Sequence, residues 1–254
     1  MKQAEMMLLV PRKLKEIEKE YGIRILYAAE SGSRAWGTAS PESDFDVRFI
    51  YIRPEKEYLR LQQHRDVLEF PIVDGWDICG WDLAKLLKLL HSSNTQIYEW
   101  FGSPVVYVDD GFSRRIRPLL DAYFSTKTGG YHYLSQADLK MKQQKKVEQT
   151  KVKHYLYCFQ HFAAARWILE HKAPAPVSFS ELRAWMPEDL HGEVSVLLQK
   201  KRDKEPLMPH SPLLDARLLQ ERDELEQLLR QLPKELPLSW DLLEGFFLSE
   251  LERL

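Results

Sequence analysis

The stretch from Ala28 to Ile52, AAESGSRAWGTASPESDFDVRFIYI, gathers a Gly-Ser step, an arginine, a tryptophan and an Asp-x-Asp pair. In an extended strand alternate side chains share a face, so Asp44 and Asp46 point one way while Phe45 and Val47 point the other. Two carboxylates side by side repel each other unless a cation lies between them. Magnesium suits that place, because it favours carboxylate oxygens and leaves positions for substrate phosphates. Upstream, Gly32 lets the backbone approach a phosphate, and the Ser33 hydroxyl and neighbouring N–H groups can donate to its oxygens. Arg34 supplies a cation at the same point. A strand, a phosphate-binding turn and a second strand with paired aspartates suit a metal-bound nucleoside triphosphate. The plainer reading, that SPESD is an acidic surface loop, is outweighed by the order of these pieces along the chain.

Two-metal phosphoryl transfer needs a further carboxylate. Asp77, in VDGWDICGWDL, is the expected one. Its rivals are Asp74, beside Gly75 in a turn, and Asp82, placed as a first-turn residue that favours the dipole of the next helix. Ser43 either orders Asp44 or makes a turn. Arg48 shares a face with Asp44 and Asp46, where it either neutralises phosphate or pairs with Asp46. Trp36 is expected to pack on the core rather than stack on a nucleotide. Asn94 reads as a helix N-cap, and both it and Glu99 are candidates to support the site. Lys142, Lys146, Gln149 and Lys153 recur at helical spacing, flanked by Lys140, Lys145 and Lys151. That stripe is either a solvated helix face or a surface for phosphates. Lys153 and Tyr157 are the members expected to reach the cleft. His132, His154 and His161 show no metal-ligand spacing.

The elements that must carry these residues are legible as patterns. Residues 11–20 are helix-prone and stop at Tyr21-Gly22, and IRILYAA (Ile23 to Ala29) reads as a buried strand. DFDVRFIYI is the second strand, Pro54 opens a short helical piece, and a third strand region is broken near Pro71 and Gly75. Leu83, Leu86, Leu87 and Leu90 have helical spacing, and VVYV (Val105 to Val108) reads as an edge strand. From Asp110 onward nearly everything reads as helix, including a polar run from Gln136 to Lys153. Boundaries of 1–110 for an α/β half and 111–254 for a helical half follow.

Composition narrows the classes. With 44% hydrophobic and 29% charged residues, the chain has material for a substantial core. A net charge of −2 excludes a globally basic coat protein, so any polyanion surface is local. Cys79 and Cys158 form no metal or redox spacing and fit a reducing cytoplasm. No apolar run is long enough to span a bilayer, so no membrane partner is expected.

The residues GSRAWGTASPESDFDVRFIYI resemble the signature of nucleotidyltransferases of the DNA polymerase beta superfamily, in particular the RNA-repair-associated, RlaP-like or YcgL-like group. WDLAKLLKLLHSSNTQIYEW and KHYLYCFQHFAAARWIL are similar to later blocks of that group, although an arginine common near Gln160 is absent. The resemblance covers about residues 20–170. It implies an α+β fold, with a small mixed β-sheet domain flanked by helices and then an all-helical domain. It also implies transfer of a nucleoside monophosphate from a triphosphate to a hydroxyl, RNA among the acceptors, with release of pyrophosphate. Asp44, Asp46 and Asp77 would be catalytic and bind Mg2+ or Mn2+. Gly32, Ser33, Arg34, Ser43, Asn94, Lys153 and Tyr157 would bind the nucleotide. The alternative is a non-catalytic nucleotide-sensing or partner-binding module on the same fold. A phosphohydrolase would want a His-Asp cluster, which the chain lacks.

Overall fold

A computed structural model describes residues 3–62, 64–144, 149–205, 207–233 and 238–254. The first half runs α1 (Gln3–Tyr21), β1 (Arg24–Glu30), α2 (Gly32–Ala35), β2 (Phe45–Ile52), α3 (Glu55–Tyr58), β3 (Val67–Glu69), β4 (Trp76–Asp82), α4 (Leu83–His91), α5 (Thr95–Phe101) and β5 (Val106–Asp109). The strands form one mixed sheet in the order β3-β4-β2-β1-β5, with β2 and β4 parallel and the other pairs antiparallel. Each expected strand is present, and β5 lies at an edge.

The pleat of β2 divides its residues between two layers. Phe45, Val47, Phe49 and Tyr51 pack with Met6, Val10, Leu14 and Ile17 of α1. Ile50 and Ile52 face the opposite layer, with the leucines of α4 and with Ile97 and Trp100 of α5. Asp46 and Arg48 lie on that second face, nearer the start of the strand, where the helical cover stops. One strand face therefore passes from polar to apolar along its length, and the polar end is open to a ligand.

Beyond β5 the chain continues as α6 (Phe112–Ala122), α7 (Thr126–Gln144), β6 (Gln149–Lys151), α8 (Val152–His171), α9 (Phe179–Arg183), α10 (His191–Arg202), β7 (Leu207–Pro209), α11 (Pro212–Gln231) and α12 (Asp241–Leu251). A separate core unites α7 to α11, centred on Tyr155, Phe159, Phe162 and Leu218. Phe112 and Ile116 of α6 and Leu243 of α12 join the sheet's second layer instead. Arg115 of α6 holds the buried Glu250 of α12 at 2.7 Å.

The continuous basic helix expected from 136 to 153 is a correction. Gln149–Lys151 leaves the helix to pair antiparallel with Leu207–Pro209, burying Thr150 completely. Tertiary pairing overrides the local helical pattern. Lys142 lies on α7, Gln149 on β6 and Lys153 on α8, so these three share no single face; Lys145 and Lys146 lie outside the described residues. Among the described residues no helix is long and apolar enough to cross a membrane.

Candidate active site

The parallel register places Asp46 of β2 directly opposite Asp77 of β4, and Arg48 opposite Cys79. Neighbouring residues at one register level point to the same side of a sheet, so both carboxylates and the guanidinium converge. Arg48 Nη2 donates to Asp46 Oδ1 at 3.1 Å and to Asp77 Oδ2 at 2.8 Å, while Nη1 donates to the Asp77 carbonyl at 2.7 Å. Arg48 thus takes the structural role of pairing, and with both acids rather than Asp46 alone.

A fourth charge lies behind them. Glu30, at the end of β1, is fully buried, accepts the Asp46 N–H at 2.8 Å and is hydrogen-bonded by the Tyr107 hydroxyl. Burial pushes the Glu30 carboxyl up, against the pull of these hydrogen bonds and of Arg34 and Arg48. Asp46 is pushed up to about 7 by burial, with Arg48 pulling it down and Asp77 and Glu30 pushing it up. Three acids, with Arg48 the guanidinium bonded to two of them and Arg34 acting on Glu30 through space, leave the cluster short of positive charge.

Gly32 stands against the same carboxylate. Its φ of +59° is left-handed, and a β-carbon there would lie 2.2 Å from Asp46 Oδ2. Arg34 is turned to the loop backbone, donating to the Asp44 carbonyl at 3.0 Å and the Ser43 carbonyl at 2.6 Å, over the face of Phe45. Ser43 Oγ accepts the Ser40 N–H at 2.9 Å. Both residues therefore shape the loop that presents Asp44, which is exposed.

A cleft of about 430 Å3 opens between this wall and the helical half. Ser33, Ser43, Asp44 and Asp46 line one side; Lys153 and Tyr157 of α8 and Lys201 of α10 line the other. Lys201 Nζ is buried with no hydrogen-bond partner, at 5.9 Å from the Tyr157 ring centroid. Burial first and the Lys153 charge second lower its pKa to about 8, against the pull of Asp46. Lys204, at the rim, is spent on Glu42 at 2.6 Å. An ammonium desolvated without a partner is costly, and an anion in the cleft relieves it.

Other expected residues fall elsewhere. Asp77 lies beside Asp46 on the neighbouring strand, with its side chain about as exposed, but does not line this cleft, and Gly32 and Arg34 likewise contribute no lining surface. Asn94 caps α5 by accepting the Gln96 N–H at 2.9 Å, outside the cleft. Asp82 caps α4 and receives the Tyr58 hydroxyl, and Asp74 occupies a left-handed turn at φ 52°. Trp36 packs edge-on against Tyr157, on the core of the helical half rather than of its own. Glu99 is half-buried beneath it, hydrogen-bonded by Trp36 and Tyr133, and burial pushes its carboxyl up to about 7.

Two functional candidates escaped the sequence reading. Glu30 left a signal, as an acid closing the apolar run IRILYAAE. Lys201, in LLQKKRDK, reads like any solvated lysine.

Among the described residues no three acids, histidines or cysteines converge into a ready-made cation cage. The donor set nonetheless suits a hard divalent ion: oxygen ligands only, an excess of negative charge, and a glycine where a side chain would fill the space beside Asp46.

Comparison with known proteins gives two matches. Residues 6–249 match the family model described as RlaP, RNA repair pathway DNA polymerase beta family. An uncharacterized protein of Bacillus subtilis (strain 168), YcgL, is 39% identical over 197 residues, which span 76% of this chain and 76% of that one.

Proposed function

The chain belongs to the RNA repair pathway DNA polymerase beta family, and from that membership we propose that it is a metal-dependent nucleotidyltransferase acting on a hydroxyl acceptor, RNA foremost. The observation that carries this reading is the polarity of the cleft. Carboxylates form one wall, and an unpaired buried lysine forms the other. A nucleoside triphosphate with its metal presents the complement: a cation for the acids and phosphate oxygens for the lysines.

Asp44, Asp46 and Asp77 would hold Mg2+ or Mn2+, which supplies neutralisation of charge on the transferring phosphate and activation of the incoming hydroxyl. Lys201 and Lys153 bind the phosphates that depart as pyrophosphate. Ser33 donates to a phosphate oxygen from the opposite side. Arg48 orients the Asp46 and Asp77 carboxylates through its guanidinium, and Glu30 holds the Asp46 backbone by accepting its N–H. In the transfer, the acceptor oxygen forms the new bond to the α-phosphorus. The bond from that phosphorus to the bridging oxygen breaks, pyrophosphate leaves with the electron pair, and the hydroxyl proton passes to Asp77.

The test is incubation with each labelled nucleoside triphosphate, magnesium or manganese, and a panel of RNAs. Transfer that disappears in Asp44→Ala and Asp46→Ala supports the reading. Nucleotide binding that needs no metal, with neither transfer nor pyrophosphate release for any acceptor, overturns it in favour of a nucleotide-sensing module.

A further inference from the structure

A second cavity, of about 500 Å3, lies on the other side of the loop that follows α2. This is within the roughly 300–1,000 Å3 of small-ligand pockets. Its apolar surfaces are Trp36, Phe179 and Leu198, and its ionisable groups are Arg183, His191 and Arg202, with no carboxylate in the lining. That sign is opposite to the acidic wall of the cleft.

Two of the lining side chains, Arg183 and Trp36, are held in place by contacts of their own. Arg183 Nη2 is fixed by the His191 carbonyl at 2.6 Å and the Ser195 hydroxyl at 2.5 Å, leaving its other donors uncommitted. His191 Nε2 is buried without a hydrogen-bond partner. Arg202 is exposed at the mouth, with a single bond to Gln199 of its own helix. Trp36 is held in place by the Phe179 N–H on its carbonyl at 2.9 Å and by Tyr157 against its ring edge. Flat apolar surface beside two guanidinium groups suits a base together with its phosphates, the combination by which single strands are held.

Position ties this cavity to the cleft. Ala39 lines the cavity and Ser40 lines the cleft, so one peptide unit separates them along the chain. Helix α10 serves both, with Leu198 and Arg202 turned to the cavity and Lys201 to the cleft. We propose that the second cavity holds the terminal nucleotide of a single-stranded nucleic acid, presenting it as acceptor to the cleft. Its role as acceptor site rests on the transferase reading above; occupancy by a strand end does not.

The experiment is fluorescence anisotropy with a labelled short oligoribonucleotide on the full chain, paired with separate measurement of nucleoside triphosphate binding. Arg202→Gln is expected to weaken the oligonucleotide about tenfold and to lower the salt slope by about one, as for loss of one phosphate contact, while leaving triphosphate affinity unchanged. A terminal 4-thiouridine on the same strand is expected to crosslink to residues 36–39 or to α9 and α10. Unaltered oligonucleotide affinity in both Arg202→Gln and Arg183→Gln, or crosslinks confined to other surfaces, overturns the proposal. Binding and crosslinking at the cavity without nucleotide transfer would sink the transferase reading and leave this site standing. Transfer without oligonucleotide binding does the reverse.

Discussion

Gly32 and Asp46 touch across the start of the sheet, so closely that a β-carbon on Gly32 would lie 2.2 Å from the Asp46 carboxylate. The Gly-Ser step and the Asp-x-Asp pair are thus one structure. The Ser31 N–H on the Asp46 carbonyl, at 2.8 Å, fixes that approach. The glycine makes room for a carboxylate, where the sequence pointed to a phosphate.

Gly32→Ala is expected to damage the site more than the fold. The left-handed φ costs about 1 kcal/mol for a residue with a β-carbon, equivalent to a fall of about 2–4 °C in Tm. The clash must also displace Asp46. Manganese binding, followed by calorimetry, should fall by more than tenfold while circular dichroism stays native-like. Unchanged manganese affinity would show that Asp46 is not a ligand.

Removing the internal cation should favour an external one. Arg48→Met leaves Asp46 and Asp77 facing each other without neutralisation, so the metal-free protein loses stability. Manganese is expected to bind about tenfold more tightly (about 1.4 kcal/mol) and to raise Tm more than in the native protein. Weaker binding in both Arg48→Met and Arg48→Lys would instead mean that the guanidinium chiefly organises the ligands.

Nucleotide affinity should fall as pH rises through about 8. Lys201 is held at about 8, below its ordinary 10.5, so with no anion bound its charge is complete only well under pH 8 and is lost as pH rises through that value. Titrating triphosphate binding from neutral to alkaline pH should show a decline of at most tenfold per unit. Lys201→Gln is expected to start weak and lie flat across that range, and Lys201→Arg to keep its affinity.

Glu99 predicts a stability trend of definite sign. Its folded value of about 7 exceeds its ordinary 4.5, so folding favours the protonated form. The contribution is complete below about pH 4.5 and vanishes as pH climbs through about 7. Glu99→Gln keeps an oxygen for Trp36 and Tyr133 and does not ionise. Relative to the native protein it should gain stability across that window, by about 2 kcal/mol after allowance for partial exposure, and hold level above it. Urea midpoints compared across the window measure this, and parallel curves for the two proteins would refute it.

The elements of the first half were legible because their signals are local. The run IRILYAA, the alternation of DFDVRF and the leucine spacing after Asp82 each correspond to an observed element. The basic run after Gln136 misled for the opposite reason. Its helical spacing is genuine on either side, but β6 forms only through pairing with β7, more than fifty positions on. Asn94 and Asp82 had ordinary capping signatures, and capping is where the structure uses them.

Within the candidate site, residue type and the alternation along β2 were enough to single out Asp44, Asp46 and Asp77, whereas membership of the family is carried by a match over residues 6–249. What no single stretch encodes is register. That Asp77 rather than Asp74 or Asp82 meets Asp46 depends on how two strands separated by a long connection slide against each other, and a slip of one residue would turn every side chain to the other face. Lys201 is the extreme case. Its type and neighbours are those of a solvated helix, and only the packing of α10 against α8 buries its ammonium opposite Asp46. Local pattern sets which residues are available; the burial and charge balance that give them a task arise only when distant segments close over one another.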